Sequence, residues 1–194
     1  MKTLYYIPLL LIVAACNSKP KPIDDKATDT ASNSIDTVQA NEDTIQDIDS
    51  ANYSRYYNLL YGYRADFPKD LLTAQPEAGN GDGRVFTDSK GNAILTVYGS
   101  RLDMLSVRYK QDLVSITASK RNNVTYQKLT SSFSVISGFK GETIFYYKRI
   151  ATDEGLGSEG LASIVFEYPK VDSIKYKAAV IAVSRSLRKI KVNE

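Results

Sequence analysis

The 194-residue sequence contains no histidine and no tryptophan, and its only cysteine is Cys16. Without histidine the chain lacks the usual general base, the Ser-His-Asp and Cys-His arrangements, and the commonest zinc ligand. One cysteine cannot form an intramolecular disulfide, and a lone thiol is unusual in an exported protein. Catalysis would therefore have to use carboxylates, Lys or Tyr. We expect no catalytic residues, no metal and no cofactor.

The amino-terminal segment has the pattern of an export signal. Lys2 precedes an apolar stretch from Leu4 to Ala15, which only Pro8 interrupts. This stretch is shorter than the roughly 20 apolar residues of a transmembrane helix, and small residues end it. The pattern predicts a removable signal peptide at residues 1–15.

The signal ends in Val13-Ala14-Ala15-Cys16, which resembles the bacterial lipobox. The resemblance implies that Cys16 becomes the first residue of the mature chain and carries a diacylglycerol thioether. The alternative is an ordinary secretory signal with an incidental cysteine. The expected location is the bacterial cell envelope, where the lipid on Cys16 would hold the protein to a membrane, facing the periplasm or the cell surface.

Residues 16–52 form a second segment with a different composition. The segment contains 3 Lys and 8 Asp or Glu, and it has no aromatic residue and no glycine. Such a composition cannot bury enough apolar surface to offset the entropy lost on ordering, so it predicts a disordered acidic tether. The alternative is a short helix, marginal in water, whose apolar residues are Ile35, Val38, Ile45 and Ile48.

Four triplets in this segment consist of Asp, a hydroxyl residue and a small or aliphatic residue. They resemble the acceptor motif of the general protein O-glycosylation system of Bacteroidota. The resemblance implies glycans on Thr30, Thr37, Thr44 and Ser50. The alternative is chance, because a segment rich in Asp, Thr and Ser produces such short triplets without any enzyme reading them.

Residues 53–194 are long enough for one domain with its own core, and they carry 21 Lys or Arg against 14 Asp or Glu. This net positive charge favours anionic surfaces as partners. The alternative is that the charge only keeps the protein soluble. Alternating and β-branched runs predict strands at 61–67, 84–87, 93–98, 124–129, 133–139, 143–150 and 161–168. Helical spacing predicts one helix from Leu105 to Ile116 and a second from Tyr176 to Ile190.

Candidate amino-terminal caps are Asp103 or Ser106 for the first helix, and Asp172 or Ser173 for the second. Two amphipathic helices among antiparallel strands indicate an α+β domain. In this class, the helices bury their apolar stripes against the sheet. The sequence therefore predicts a central antiparallel β-sheet covered by helices.

Several of these segments together resemble bacterial proteins of the PsbP-like superfamily. They are Tyr61–Pro68, Asn80–Phe86, the hairpin ending at Ala93–Tyr98, and Phe166–Pro169 before a helix. The resemblance implies an αβα sandwich over residues 53–194. Known members act as assembly or binding proteins in photosystems and in nuclear transport. Because one fold can serve unrelated functions, the resemblance implies fold far more than function.

Two glycine-rich segments match ligand-binding motifs only in part. Gly155-Leu-Gly157-Ser-Glu-Gly160 has the letters of the dinucleotide fingerprint, but a strand is predicted after it where the fingerprint needs a helix. Asn80-Gly-Asp-Gly83 is similar to part of an EF-hand loop, yet the first ligand and the bidentate Glu are missing. We interpret the first as a hairpin loop and the second as a turn.

Acidic residues 153, 154 and 159 lie in the same predicted hairpin loop. One interpretation is that these carboxylates act as general acid and base; the other is that they are solvated, as acidic residues in such loops usually are.

Tyrosines at the start of the domain and basic residues of the last helix form a candidate binding surface. Tyr offers a broad apolar face with a polar tip, and Arg and Lys attract anionic groups. The alternative for the tyrosines is that strand alternation buries about half of them in the core. The alternative for the basic residues is that they form an ordinary solvated face of the helix. The candidates are Tyr53, Tyr56, Tyr57, Lys175, Lys177, Arg185 and Arg188.

The preferred function is an envelope lipoprotein whose domain binds another envelope protein or a surface component without chemistry. We expect no nucleic-acid partner. The alternative is a small-ligand or glycan-binding carrier, or a hydrolase that uses carboxylates.

Overall fold

The computed structural model describes residues 52–101, 103–153 and 159–190. These residues form ten β-strands and two α-helices. The strands are β1 (Tyr53–Asn58), β2 (Tyr63–Pro68), β3 (Thr73–Glu77), β4 (Gly83–Thr87), β5 (Ile94–Ser100), β6 (Asn122–Leu129), β7 (Phe133–Lys140), β8 (Thr143–Asp153), β9 (Glu159–Pro169) and β10 (Arg188–Lys189). The helices are α1 (Leu105–Thr117) and α2 (Ser173–Ser186), and a short 3-10 helix (Lys170–Asp172) precedes α2.

The described strands pair antiparallel in two sheets. Seven strands form a large sheet in the order β3-β4-β5-β9-β8-β7-β6, and β1, β2 and β10 form a small sheet with β2 in the middle. The α+β fold class and the central antiparallel sheet are confirmed. Among the described residues, neither helix has the length and apolar character needed to cross a bilayer.

Alternation along β8 places the two helices on opposite faces of the large sheet. Ile144 and Tyr146 belong to a core that includes α2, whereas their neighbours Phe145 and Tyr147 pack with α1. Because successive side chains of a strand point to opposite faces, the sheet is a middle layer between α1 and α2. This is the predicted αβα sandwich.

The larger core lies between α2, the large sheet and the inner face of the small sheet. Its fully buried aromatic side chains meet edge to face, as Phe166 and Tyr176 do at a centroid distance of 5.7 Å. The shared core joins the small sheet to the large one. Its members include Tyr63, Ala65, Phe86, Leu95, Val97, Ile164, Phe166, Tyr176, Val180 and Val183.

The smaller core beneath α1 is next to a buried charge. Arg149 of β8 is 4% exposed. Its Nε and Nη2 donate to the two carboxylate oxygens of Asp112 on α1, at 2.7 and 3.0 Å. Its Nη1 donates to the hydroxyls of Tyr98 (2.7 Å) and Ser163 (2.6 Å). This network ties α1 to three strands of the sheet.

The turns and loops of the domain gather at two opposite ends. The Lys69 N–H, after β2, donates to the Asn52 carbonyl at 3.1 Å. The register places the β4–β5 turn, the β7–β8 turn and the start of α2 at this same end. We call it the entry end, because the chain enters the domain there. The opposite end, with the β1–β2 turn and the β3–β4 loop, is the distal end.

The helix ends differ from the sequence expectation. The expected second helix continues to Ile190, but α2 ends at Ser186, because Leu187 adopts an extended backbone (φ −64°, ψ 113°) and Arg188 begins β10. Asp172 is the N-cap residue of α2, as one of the two expectations had it, but its side chain makes no capping hydrogen bond. The expected caps of the first helix are wrong, because Met104 is the N-cap residue of α1. Asp103 instead accepts a hydrogen bond from Arg108 at 2.7 Å.

Gly138 of β7 is placed where another backbone passes very close. A Cβ at this position would collide with the Asn123 carbonyl and would lie 2.9 Å from the Cα of Val124. We expect Gly138→Ala to lower the free energy of unfolding by about 1–3 kcal/mol, because edge strand β6 must shift. Gly79→Ala is the control, since nothing lies within 4 Å of its Cβ position. Urea unfolding measures both, and equal stability of the two variants would contradict the close approach.

Candidate functional site

The β1–β2 turn at the distal end displays two leucines to solvent. Leu59 is 81% exposed and Leu60 is 56% exposed. The turn closes through Gly62, whose φ of +65° favours glycine over residues with a Cβ. Large apolar side chains are rarely placed in tight turns, so the two adjacent exposed leucines make this turn a candidate interaction site.

Hydrogen bonds fix this turn to the neighbouring β3–β4 loop. Asn58 is buried; its amide donates to the Gly81 carbonyl at 2.8 Å, and its oxygen accepts from the Tyr61 N–H at 3.0 Å. The Arg101 guanidinium donates to the Leu60 carbonyl at 3.1 Å. These bonds hold the backbone of the turn in place against the β3–β4 loop.

A row of tyrosine and arginine side chains continues from the turn along the outer face of the small sheet. Tyr57 pairs with Arg64 of β2, and Arg64 pairs with Arg188 of β10. Directly paired residues of antiparallel strands share a face, so these three side chains stand side by side. We define the hairpin patch as Tyr57, Leu59, Leu60, Arg64 and Arg188.

An ion pair lies beside this row. The Arg55 guanidinium donates to both carboxylate oxygens of Asp66, at 2.6 and 3.0 Å. The hydrogen bonds of Arg55 with Asp66, and then with Tyr57, raise the pKa of the Arg55 guanidinium above its ordinary value. Arg55 thus stays charged and helps to orient the Tyr57 ring at the edge of the patch.

A separate polar group lies on the face of the large sheet that α1 covers in part. Lys140 Nζ donates to the Tyr147 hydroxyl at 2.5 Å and to Glu167 Oε1 at 2.6 Å, and the Tyr147 hydroxyl donates to the same carboxylate oxygen at 3.1 Å. Burial raises the pKa of Tyr147. Burial alone would lower the pKa of Lys140, but hydrogen bonds to Glu167 and Tyr147 outweigh it and raise the pKa. Tyrosine stays neutral and lysine stays charged, which suits cross-strand cohesion better than proton transfer near neutral pH.

Comparison with solved structures gives the fold a name. The solution structure of cyanobacterial PsbP (CyanoP) from Synechocystis sp. PCC 6803 matches with 14% identity and a TM-score of 0.51, over 72% of this chain and 93% of that one. The domain has a PsbP-like fold. At this identity the likeness concerns the fold alone, and function has to be argued from the residues of the site.

Two further structures are similar at lower TM-scores. One is a crystal structure from Bacteroides thetaiotaomicron, with 12% identity and a TM-score of 0.45 over 74% of this chain and 50% of that one. The other is the Saccharomyces cerevisiae Ran-binding protein Mog1p, with 9% identity and a TM-score of 0.48 over 72% of this chain and 96% of that one. No family model matches the sequence, and no curated protein matches it.

The PsbP-like domain separates the residues of the predicted binding surface. Tyr57 and Arg188 come together in the hairpin patch, and Tyr53 is half-buried on the same strand as Tyr57. Lys175 and Lys177 are exposed near the start of α2, at the entry end, and Arg185 is half-buried in its last turn. The candidates therefore do not form one surface, and their part in binding stays a prediction.

Tyr56 has to be removed from the predicted surface. It is only 7% exposed, and its hydroxyl donates to Glu77 Oε1 at 2.6 Å and accepts from the Asn58 amide at 3.2 Å. Burial, followed by the hydrogen bond to Glu77, raises the pKa of the Tyr56 hydroxyl. Because alternation in β1 turns Tyr56 inward, its neighbour Tyr57 points out.

Sequence reasoning missed Leu59, Leu60 and Arg64. A usable signal was present, because two adjacent leucines stand immediately before the Tyr61-Gly62 pair, where a turn between two strands calls for polar residues. Arg64 could have been found only from the strand register.

Several predicted sites lie outside the described residues. They are the signal peptide, the lipidation site Cys16, the tether, the glycosylation candidates Thr30, Thr37, Thr44 and Ser50, and loop residues 154–158. The strands on both sides of that loop are described: β8 and β9 pair as far as residues 153 and 159, and Gly160 already belongs to β9. A strand follows the glycines, as expected for a hairpin, and not the helix that a dinucleotide fold requires.

Asn80–Gly83 forms the predicted turn. The Asn80 amide donates to Asp82 Oδ2 at 2.8 Å, and the Gly81 N–H donates to the Ala78 carbonyl at 2.8 Å. The Asp82 carbonyl accepts from the Tyr63 hydroxyl and from the Gly99 N–H, both at 2.8 Å. These bonds fix the loop to β2 and β5, beside the β1–β2 turn.

Proposed function

We propose that the protein is a cell-envelope lipoprotein whose PsbP-like domain binds another envelope protein through the hairpin patch, without chemistry. The single observation that supports this most is the pair of exposed leucines on a turn that the β3–β4 loop holds in place. Lipidation of Cys16 supplies the anchor in this proposal.

The composition of the hairpin patch favours a protein partner. Tyr and Arg are enriched among the residues that dominate protein interfaces, and exposed Leu side chains gain free energy when they enter a partner's pocket. Arg64 lies between Tyr57 and Arg188 on the small sheet, so a complementary partner offers carboxylates to the arginines and an apolar pocket to the leucines of the turn.

The position of the patch also fits a tethered protein. The patch is at the distal end, and the chain enters the domain at the opposite end. The attachment of the tether would therefore leave the patch accessible to proteins in the surrounding space.

The test is crosslinking and affinity capture from native membranes with a variant in which two patch residues are reversed in character. We expect Leu59→Asp combined with Arg188→Glu to reduce recovery of the specific partner at least tenfold, because the first change places a charge in an apolar pocket and the second repels carboxylates. Quantitative mass spectrometry of the captured proteins measures the change.

A matched control is available on α1, across the large sheet from α2. Val114 is 69% exposed and Lys110 is exposed, so Val114→Asp with Lys110→Glu makes the same chemical changes elsewhere. Both variants should keep the parent's melting temperature within a few degrees. Equal partner recovery with the two variants would exclude the hairpin patch as the binding site.

A further inference from the structure

Two apolar side chains at the entry end are almost fully exposed. Val171 in the 3-10 helix is 88% exposed, and Ile174 in the first turn of α2 is 93% exposed. Residues three apart in such a helical segment lie on the same side, so the two side chains project together into solvent.

Basic residues outnumber acidic residues in the turns around this apolar pair. Lys170 and Lys175 flank it in sequence. The Lys170 N–H donates to the Glu142 carbonyl of the β7–β8 turn at 2.9 Å, and Gly141 of that turn donates to the Arg121 carbonyl at 3.2 Å. The turns of the entry end carry Lys69, Lys90, Lys120, Arg121, Lys170 and Lys175 against Asp70, Asp88, Glu142 and Asp172.

Two of these four carboxylates are engaged within the domain. Asp88 accepts from the Asn92 N–H at 2.7 Å and from the Tyr176 hydroxyl at 3.3 Å, and Glu142 forms an ion pair with Lys170 at 3.7 Å. The six cations and four carboxylates named above sum to +2 around the apolar tip. Protein surfaces with an apolar tip and surrounding lysines bind lipid interfaces, because the apolar side chains enter the headgroup boundary and the lysines attract anionic lipids.

The geometry points to an anionic bilayer surface as the occupant of this end: we propose that Val171 and Ile174 insert at the membrane interface while the surrounding lysines contact anionic headgroups. The chain enters the domain at the same end, through Asn52. This inference rests on the proposed lipidation of Cys16, which would keep the domain near the bilayer. It deepens the proposed function by giving the domain an orientation, with the hairpin patch directed outward.

The absence of tryptophan from the sequence gives a clean probe. In the full lipidated chain, Val171→Trp places a single indole at the tip, and Val114→Trp places one on the exposed face of α1 as the control. Each protein is reconstituted in vesicles of phosphatidylcholine with or without phosphatidylglycerol, using brominated lipids as quenchers. We expect a blue shift and quenching for the residue 171 probe in phosphatidylglycerol vesicles only, and neither for the residue 114 probe.

Two further measurements make the outcome decisive. Adding Lys175→Glu and Ile174→Asp to the Val171→Trp protein should abolish the quenching, and high salt should weaken it in the parent probe because the lysine contacts are screened. Both altered residues are exposed, so circular dichroism should show an unchanged fold. Flotation of the vesicles reports the anchor separately.

The results separate the two proposals. A protein that floats with the vesicles but shows equal emission from residues 171 and 114 retains its anchor and overturns the orientation alone. A protein that does not float overturns the lipid anchor and the orientation together. Quenching at residue 171 that is the same without phosphatidylglycerol would contradict the role of the lysines.

Discussion

Arg149→Met is expected to lower the free energy of unfolding by about 3–5 kcal/mol, because it leaves the Asp112 carboxylate beneath α1 without its cation. Both carboxylate oxygens accept from Arg149, and the side chain of Asp112 is only 16% exposed. Burial alone would lower the pKa of Arg149, but the hydrogen bonds to Asp112 outweigh burial and raise the pKa. Arg149 therefore remains a cation.

A double variant separates the value of the pair from the cost of breaking it. Arg149→Met with Asp112→Leu removes both charges and fills a similar volume, so we expect it to recover most of the stability that the single variant loses. Tyr98 and Ser163 lose an Arg149 donor in both proteins, which makes their contribution common to the two. Urea unfolding of the parent, the single variants and the double variant gives the coupling free energy.

A loss below about 1 kcal/mol in Arg149→Met would contradict this account, since that is the range of solvent-exposed pairs. Arg108 and Asp103 provide such a pair near the start of α1, with side chains that are 36% and 20% exposed. Arg108→Met is therefore the internal comparison, with an expected loss of less than about 1 kcal/mol.

Six of the seven strands of the large sheet were predicted from their apolar and β-branched runs, whereas the edge strand β3, which contains Pro76, was missed. In β9, Ala162, Ile164 and Phe166 point to the α2 core. The strand ends at Pro169, as the sequence predicted. The pattern of β1 was hidden, because two of its inward positions are Ser54 and Asn58. A polar side chain that is buried for its hydrogen bonds looks like a surface residue in a sequence, as Asn58 does.

The end of α2 shows how one pattern fits two structures. Leu187 continues the helical apolar stripe in the sequence, and it is indeed buried, at 3% exposure. It reaches the core from an extended backbone, which allows Arg188 and Lys189 to pair with β2. Periodicity predicts which side chains are buried, whereas the competing strand partner that ends the helix is known only from the tertiary structure.

The candidate site was predicted only in part for the same reason. A tyrosine cluster in the sequence cannot say whether Tyr56 or Tyr57 faces the core, since a shift of one residue exchanges the faces of a strand. Tyr57 and Arg188 lie on either side of Arg64 because β10 pairs with β2, and Arg188 is more than 120 residues from Arg64 along the chain. The exposed apolar residues of both ends, in contrast, became visible only when the accessibility of each side chain was known.

Cys16→Ser is expected to move the protein from the detergent phase to the aqueous phase, or to leave an unprocessed precursor. A diacylglycerol supplies two acyl chains, which is enough for stable anchoring, whereas one chain or a basic surface alone gives only marginal binding. The contribution of Val171, Ile174 and the entry-end lysines is therefore too small to hold the variant by itself. Phase partitioning of the parent and the variant measures the effect, and intact mass shows whether residues 1–15 are removed.

The neighbouring substitution Asn17→Ser is the control for this experiment, because it changes the same stretch without touching the thiol. It should be processed, lipidated and recovered in the detergent phase like the parent. If Cys16→Ser also partitions with detergent as the parent does and has lost residues 1–15, the cysteine is not the anchor. The ordinary secretory signal would then be the correct interpretation, and the free thiol of Cys16 in the parent would react with a maleimide, which the thioether of a lipidated residue cannot do.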